Sequence, residues 1–138
     1  MSTVTAQGWA YTLQLPHDPR APGIARATLR AILRTYGLDD LTPTAELLTS
    51  ELVTNAHLHG ADGPYGLRIG ARPDGRLRVG VWDANPQVPP PFTGADPNPP
   101  AGGAESGRGL LLVEACADRY GAYTLRHPGK YLWAECAP

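Results

Sequence analysis

Residues 86–107, PQVPPPFTGADPNPPAGGAESG, hold seven prolines and four glycines in 22 positions. Proline has no N–H to give a helix or a ladder, and glycine is entropically costly to fix, so no regular element runs through this stretch. The chain must build its core from what lies on either side. Long structureless segments inside compact domains are lids, binding loops or linkers. This one lies between a strand-like run and a helix-like run of a 138-residue chain, which favours a lid over 86–107.

The flanks are strongly periodic. Trp9, Tyr11, Leu13 and Leu15 alternate before Pro16 and predict a half-buried strand. Ala25, Leu29, Ile32, Leu33 and Tyr36 recur at helical spacing and stop at Gly37. A second helix is expected from about Leu41 to His59, with Leu41, Ala45, Leu48, Leu52 and Ala56 as its core stripe. The alternating runs 65–72 and 76–84 around Pro73-Asp74-Gly75 predict a β-hairpin. A third helix is expected from Arg108 to about Tyr120, and two short strands, roughly 122–127 and 130–136, around Pro128-Gly129. The order β-α-α-β-β-α-β-β predicts an α/β (α+β) two-layer sandwich, one domain over residues 1–138, with the helices on one face of the sheet.

Composition narrows the functional classes. A formal net charge of −1 lacks the basic surplus of a direct nucleic-acid binder. Arg26, Arg30 and Arg34 form a helical stripe, read as a solvated face or as a docking surface for an acidic partner. No segment has the apolar length of a bilayer span, so no membrane partner is expected. MSTVTAQGWAYTL shows no basic stretch followed by an apolar run. Cys116 and Cys136 lack CxxC spacing and read as reduced thiols of a cytoplasmic protein.

Three stretches carry residues able to do chemistry. Glu51 and Asn55 are neighbours on one helix face beside the Leu48–Leu52 stripe, and His59 follows one turn later. They are either a polar boundary or one wall of a site. Asp83 ends the apolar run VGVWDA; it either accepts a hydrogen bond from an exocyclic amine or caps the following turn. Gly107 and Gly109 flank a helix start, where unpaired N–H groups and the helix dipole favour an anion. No GxxxxGK[ST] stretch is present, which removes the P-loop reading.

Taken in order, helix ExxxN, strand-end DxNP, a proline/glycine-rich lid and GxGL resemble the ATPase superfamily of gyrase, heat-shock chaperone, histidine kinase and mismatch-repair proteins. LLTSELVTNAHLHG resembles its N box, VWDANPQVP its first glycine box and GRGLLLVEACADRYG its second. The compact D-x-x-P-x-x-P form is most similar to the anti-sigma-factor serine/threonine kinases and to small stand-alone ATP-binding regulators of actinomycetes. The resemblance implies a Bergerat-type ATP-binding fold, a mixed sheet covered by three helices on one face, with a long ATP lid. It implies ATP and Mg²⁺ as cofactors, Asn55 as the Mg²⁺ ligand and Glu51 as the general base. Asp83 would receive the adenine amine. Asn85, Gly107, Arg108, Gly109 and Leu110 would line the nucleotide.

Two departures from the family pattern stand out. Asn85 replaces the usual serine before Pro86, and Tyr131 stands where many relatives place a small hydroxyl residue beside the adenine. A phenol there either stacks on the base, points away or narrows the pocket. The implied activity is transfer of the ATP γ-phosphate to an anti-anti-sigma partner of STAS type. The alternatives are a nucleotide-gated module that sequesters a sigma factor, and a scaffold that binds protein without nucleotide. Relatives often pair as homodimers.

Overall fold

The computed structural model describes residues 8–92 and 108–138. Strand β1 (Ala10–Leu15) is followed by helices α1 (Ala21–Thr35) and α2 (Thr42–His59), joined through a 3₁₀ turn at Asp39–Leu41. The hairpin β2 (Tyr65–Ala71) and β3 (Leu77–Asp83) comes next, then α3 (Arg108–Cys116), β4 (Arg119–Thr124) and β5 (Lys130–Cys136). The sheet runs β1-β2-β3-β5-β4. All four strand pairs are antiparallel, which corrects the expected mixed sheet. β3 pairs with β5, the second strand of the following hairpin, and that return leg runs opposite to it.

Alternation along each strand separates two faces. Leu13, Leu67, Val81, Leu132 and Ala122 form one row across all five strands. Against this side lie the helices, with α2 in the middle, touching β2, β3 and β5 and flanked by α1 and α3. The α2 stripe lies where its spacing put it: Leu41, Ala45, Leu48, Leu52 and Ala56 are all buried. Burying a leucine side chain contributes about 1.5–3 kcal/mol, so this stripe is enough to fix the rotation of α2 on the sheet. That rotation decides where Glu51 and Asn55 point.

The other face carries Trp82, Tyr131 and Tyr123 in one row, and Arg78, Glu135 and Arg119 in another. Gly66 and Gly80 are required beneath those rings, because a Cβ at either would fall within the Trp82 indole or the Tyr131 phenol.

Two helix ends follow from local chemistry. Helix α1 closes with Gly37 at φ +71, where the Gly37 N–H donates to the Arg34 carbonyl and the Leu38 N–H to the Leu33 carbonyl. A residue in that left-handed conformation is the common stop for a helix, and glycine adopts it without steric cost. The hairpin turns at Gly75, φ +89, as the Asp-Gly pair implied. By contrast, α3 stops at Cys116, short of the expected Tyr120. The Asp118 N–H donates to the Glu135 carbonyl and the Asp118 carboxylate accepts from the Ala137 N–H. These bonds pull the chain into β4, where Tyr120 and Ala122 face the core at strand spacing. Sheet pairing overrides the helical period there. Among the described residues no helix is long and apolar enough to cross a membrane.

Candidate functional site

The wall offered by α2 is set by its buried stripe. Glu51 is half-buried and accepts no hydrogen bond from another described residue. One turn on, Asn55 is only 8% exposed, and its Oδ1 has no hydrogen-bond donor among the described residues. A buried acceptor left unsatisfied costs about 1–3 kcal/mol, and native folds retain few of them. An oxygen held in that state beside a carboxylate is suited to a hard cation, which takes oxygen ligands. No cluster of three His, Cys, Asp or Glu side chains is present among the described residues. A Mg²⁺ ion held by Asn55 would take phosphate and water oxygens as further ligands.

The helix ends against the terminus of β3. Gly60 closes α2, and a Cβ on it would sit 2.8 Å from both Cβ and Cγ of Asp83. Asn85 joins the same junction. Its carboxamide donates to the His59 carbonyl at 2.7 Å and accepts from the Gln87 N–H at 3.0 Å, while its own N–H donates to Asp83 Oδ1 at 2.8 Å. Asp83 thus caps the turn that follows it. The exposed His59 contributes its carbonyl to this junction. His57 lies on another side, its carbonyl bonded to His17 Nε2 and its ring to the Tyr65 hydroxyl.

Asp83 has a second partner that the motif pattern missed. Lys130 is its direct cross-strand neighbour, and Nζ donates to Asp83 Oδ1 at 2.9 Å and to the Asn85 carbonyl at 3.1 Å. Both side chains are 2% exposed. The signal was present: Leu132, Ala134 and Cys136 alternate onto the core face, and the same period carries back to position 130. Lysine is almost never fully buried unless paired. Tyr131, one residue on, takes the opposite face and points away from Asp83. Its ring lies over Gly80 and stacks on Tyr123 with centroids 6.1 Å apart. Burial raises the Tyr131 phenol above its ordinary value, so it stays protonated.

The start of the proline-rich segment is described as far as Phe92. That ring is buried, edge-on to Tyr120 at 5.4 Å, and its N–H donates to the Pro89 carbonyl. The segment expected to be a lid therefore begins anchored in the core. Residues 93–107, Gly107 among them, lie outside the described residues. Arg108 and Gly109 open α3, with nothing described of their side chains, and Leu110 is buried in the core.

Known proteins share this architecture. A Mycobacterium tuberculosis structure described as the RsbU and RsbW domains of one protein superposes with a TM-score of 0.68 at 21% identity, covering 94% of this chain and 32% of that one. The SiaB-SiaC complex from Pseudomonas aeruginosa matches with a TM-score of 0.66 at 13% identity, covering 98% of this chain and 93% of the other. An uncharacterized protein of Streptomyces coelicolor is 43% identical over 74 residues, spanning 52% of this chain and 66% of that relative. The family model for the histidine kinase-like ATPase domain matches residues 15–135, from the end of β1 to the end of β5 and across the whole junction of α2, β3 and β5. The chain belongs to the histidine kinase-like ATPase domain family.

Proposed function

We propose that this chain is an ATP·Mg²⁺-binding regulator of the anti-sigma-factor kinase type, which phosphorylates a serine or threonine on an anti-anti-sigma partner of STAS type. The observation that carries the reading is Asn55, a buried amide whose Oδ1 has no donor among the described residues, on the same helix face as the half-buried Glu51. Fold neighbours described as an RsbW domain and a SiaB-SiaC complex support a protein partner.

In this reading the triphosphate lies along α2. Asn55 Oδ1 would be the protein's ligand to Mg²⁺, which supplies charge neutralisation at the phosphates. The N–H groups that open α3 at Arg108 and Gly109 would receive the phosphates, since a helix start favours an anion. Glu51 receives the proton of the partner's hydroxyl as that oxygen bonds to the γ-phosphorus and the bond to ADP breaks. Positioning and charge neutralisation are most of what phosphoryl transfer demands. Asp83, Asn85 and Leu110 shape the base end.

The test is thermal unfolding of the purified chain with and without ATP and Mg²⁺. A ligand bound only to the folded state stabilises it by about 2.7 kcal/mol at one hundred times Kd. ATP·Mg²⁺ is expected to raise the midpoint, and Asn55→Ala to abolish that rise while folding normally. An unshifted midpoint at millimolar ATP·Mg²⁺ would end the proposal.

A further inference from the structure

The sheet face turned away from the helices is not composed like a solvated surface. An antiparallel sheet with one packed face ordinarily shows polar side chains on the other. Here every outward position of β2 to β5 is an aromatic ring, a glycine or an arginine, with Glu135 as the exception. Two of the chain's three tryptophans, Trp82 and Trp133, stand there beside Tyr123 and Tyr131. We propose that this face is a docking platform for single-stranded nucleic acid, with bases stacked on the rings and phosphates held by the arginines.

The rings are laid as tiles. A Cβ at Gly66, Gly80 or Gly121 would run into Trp82, Tyr131 or Trp133 respectively, so each ring rests on the bare backbone of the adjoining strand. Arg78 already covers Trp133, its guanidinium carbon 3.9 Å from the ring centroid. Trp82, Tyr131 and Tyr123 are left as one row across three strands, the two phenols 14° from parallel with centroids 6.1 Å apart. Tyr123 is 54% exposed, and the other two are half-buried, as rings with one face down are. Stacking on such rings tolerates any base, because every base has a π-face.

The charge on this face fits a phosphate backbone. Glu135 is taken by Arg78, and Asp74 by Arg76. Arg68 and Arg119 are exposed with no carboxylate partner among the described residues, and Arg72, 45% exposed, comes no nearer to Glu135 than 3.6 Å. The net charge of −1 over the whole chain conceals this local cationic surplus. A second copy of the chain would bring like charges together here. A protein core would find no aliphatic side chain to pack against on β2 to β5, whereas planar bases and regularly spaced phosphates match rings and arginines. The platform lies on the opposite side of the sheet from the α2 wall, so docking there does not depend on the nucleotide site.

Anisotropy of labelled short oligothymidylate and oligouridylate, titrated with the intact chain in EDTA so that no Mg²⁺-held phosphate contributes, tests the proposal. Both are expected to bind alike and to quench tryptophan emission. Log affinity should fall with log salt at a slope of about −2, as roughly three phosphate contacts give. Trp82→Ala is expected to weaken binding about tenfold or more, since one base loses its stacking partner. Arg68→Glu, at an exposed position, is expected to weaken it as well and serves alone should the first variant not fold. Failure of both oligonucleotides to bind, or affinity unchanged in the folded variants, would overturn the proposal. So would a duplex of equal length bound as tightly, or polyglutamate bound as tightly, the latter in favour of an acidic protein. A homodimer that Trp82→Ala dissociates would also overturn it, by giving the face to a second copy.

Discussion

The Asn85 carboxamide donates to the His59 carbonyl at 2.7 Å, fastening the last turn of α2 to the turn after β3. The two residues lie 26 positions apart, and this bond joins the helix that carries Glu51 and Asn55 to the strand end that carries Asp83. The remaining polar groups of Asn85 bond to Asp83, Gln87 and Lys130, so the residue has a structural share in the site whatever it does for a ligand. Asn85→Ala removes two side-chain hydrogen bonds and is expected to cost about 1–3 kcal/mol. Hydrogen exchange should show the larger change at the end of α2, with β1 unaffected.

Glu51 is separable from binding. It accepts no hydrogen bond from another described residue, so its removal disturbs no internal contact of that kind. Glu51→Gln is expected to leave the ATP-induced thermal shift in place and to reduce phosphate transfer to a STAS-type partner by about 10²–10⁴, the usual contribution of a general base. Radiolabel transfer from γ-labelled ATP measures it. Undiminished transfer in the variant would remove Glu51 from the chemistry.

Arg78 holds a second buried charge. Its guanidinium reaches Glu135 Oε2 through two nitrogens at 2.7 and 2.6 Å, and lies 3.9 Å over the Trp133 ring. Glu135 is 2% exposed, with Arg72 the next cation at 3.6 Å. Arg78→Ala is expected to destabilise the fold by about 3 kcal/mol, because a buried carboxylate loses its principal partner. Arg78→Leu combined with Glu135→Leu should recover most of that loss. Urea unfolding of the parent and the two variants settles the comparison, and a double variant no more stable than Arg78→Ala would contradict it.

The two thiols should behave differently. Cys116 is exposed, whereas burial pushes the Cys136 thiol up from 9.0 to about 11. Only a thiolate is nucleophilic, so iodoacetamide at pH 8 is expected to label Cys116 in the native chain and Cys136 only after unfolding. The folded state holds the Cys136 proton more tightly than the unfolded chain. Its contribution to stability is therefore complete below pH 9 and declines as pH rises through about 11. Urea midpoints for Cys136→Val should fall less steeply over that window than those of the parent chain.

Much of this molecule is legible along the chain because its determinants are local. The stripe at Leu48, Leu52 and Ala56 sets both the existence of α2 and the face on which Glu51 and Asn55 stand, since helical period alone relates them. Gly37 and the Asp74-Gly75 pair mark their turns through their own backbone freedom. What only the tertiary structure decided involves residues distant in sequence. The sheet is antiparallel throughout, and α3 gives way to β4 at Arg119, because β5 returns between β3 and β4 and offers a ladder stronger than helical period. That same return sets Lys130 opposite Asp83 across 47 residues and turns Tyr131 to the far face. Cross-strand register is a property of the assembled sheet, and a shift of one residue would have exchanged the two.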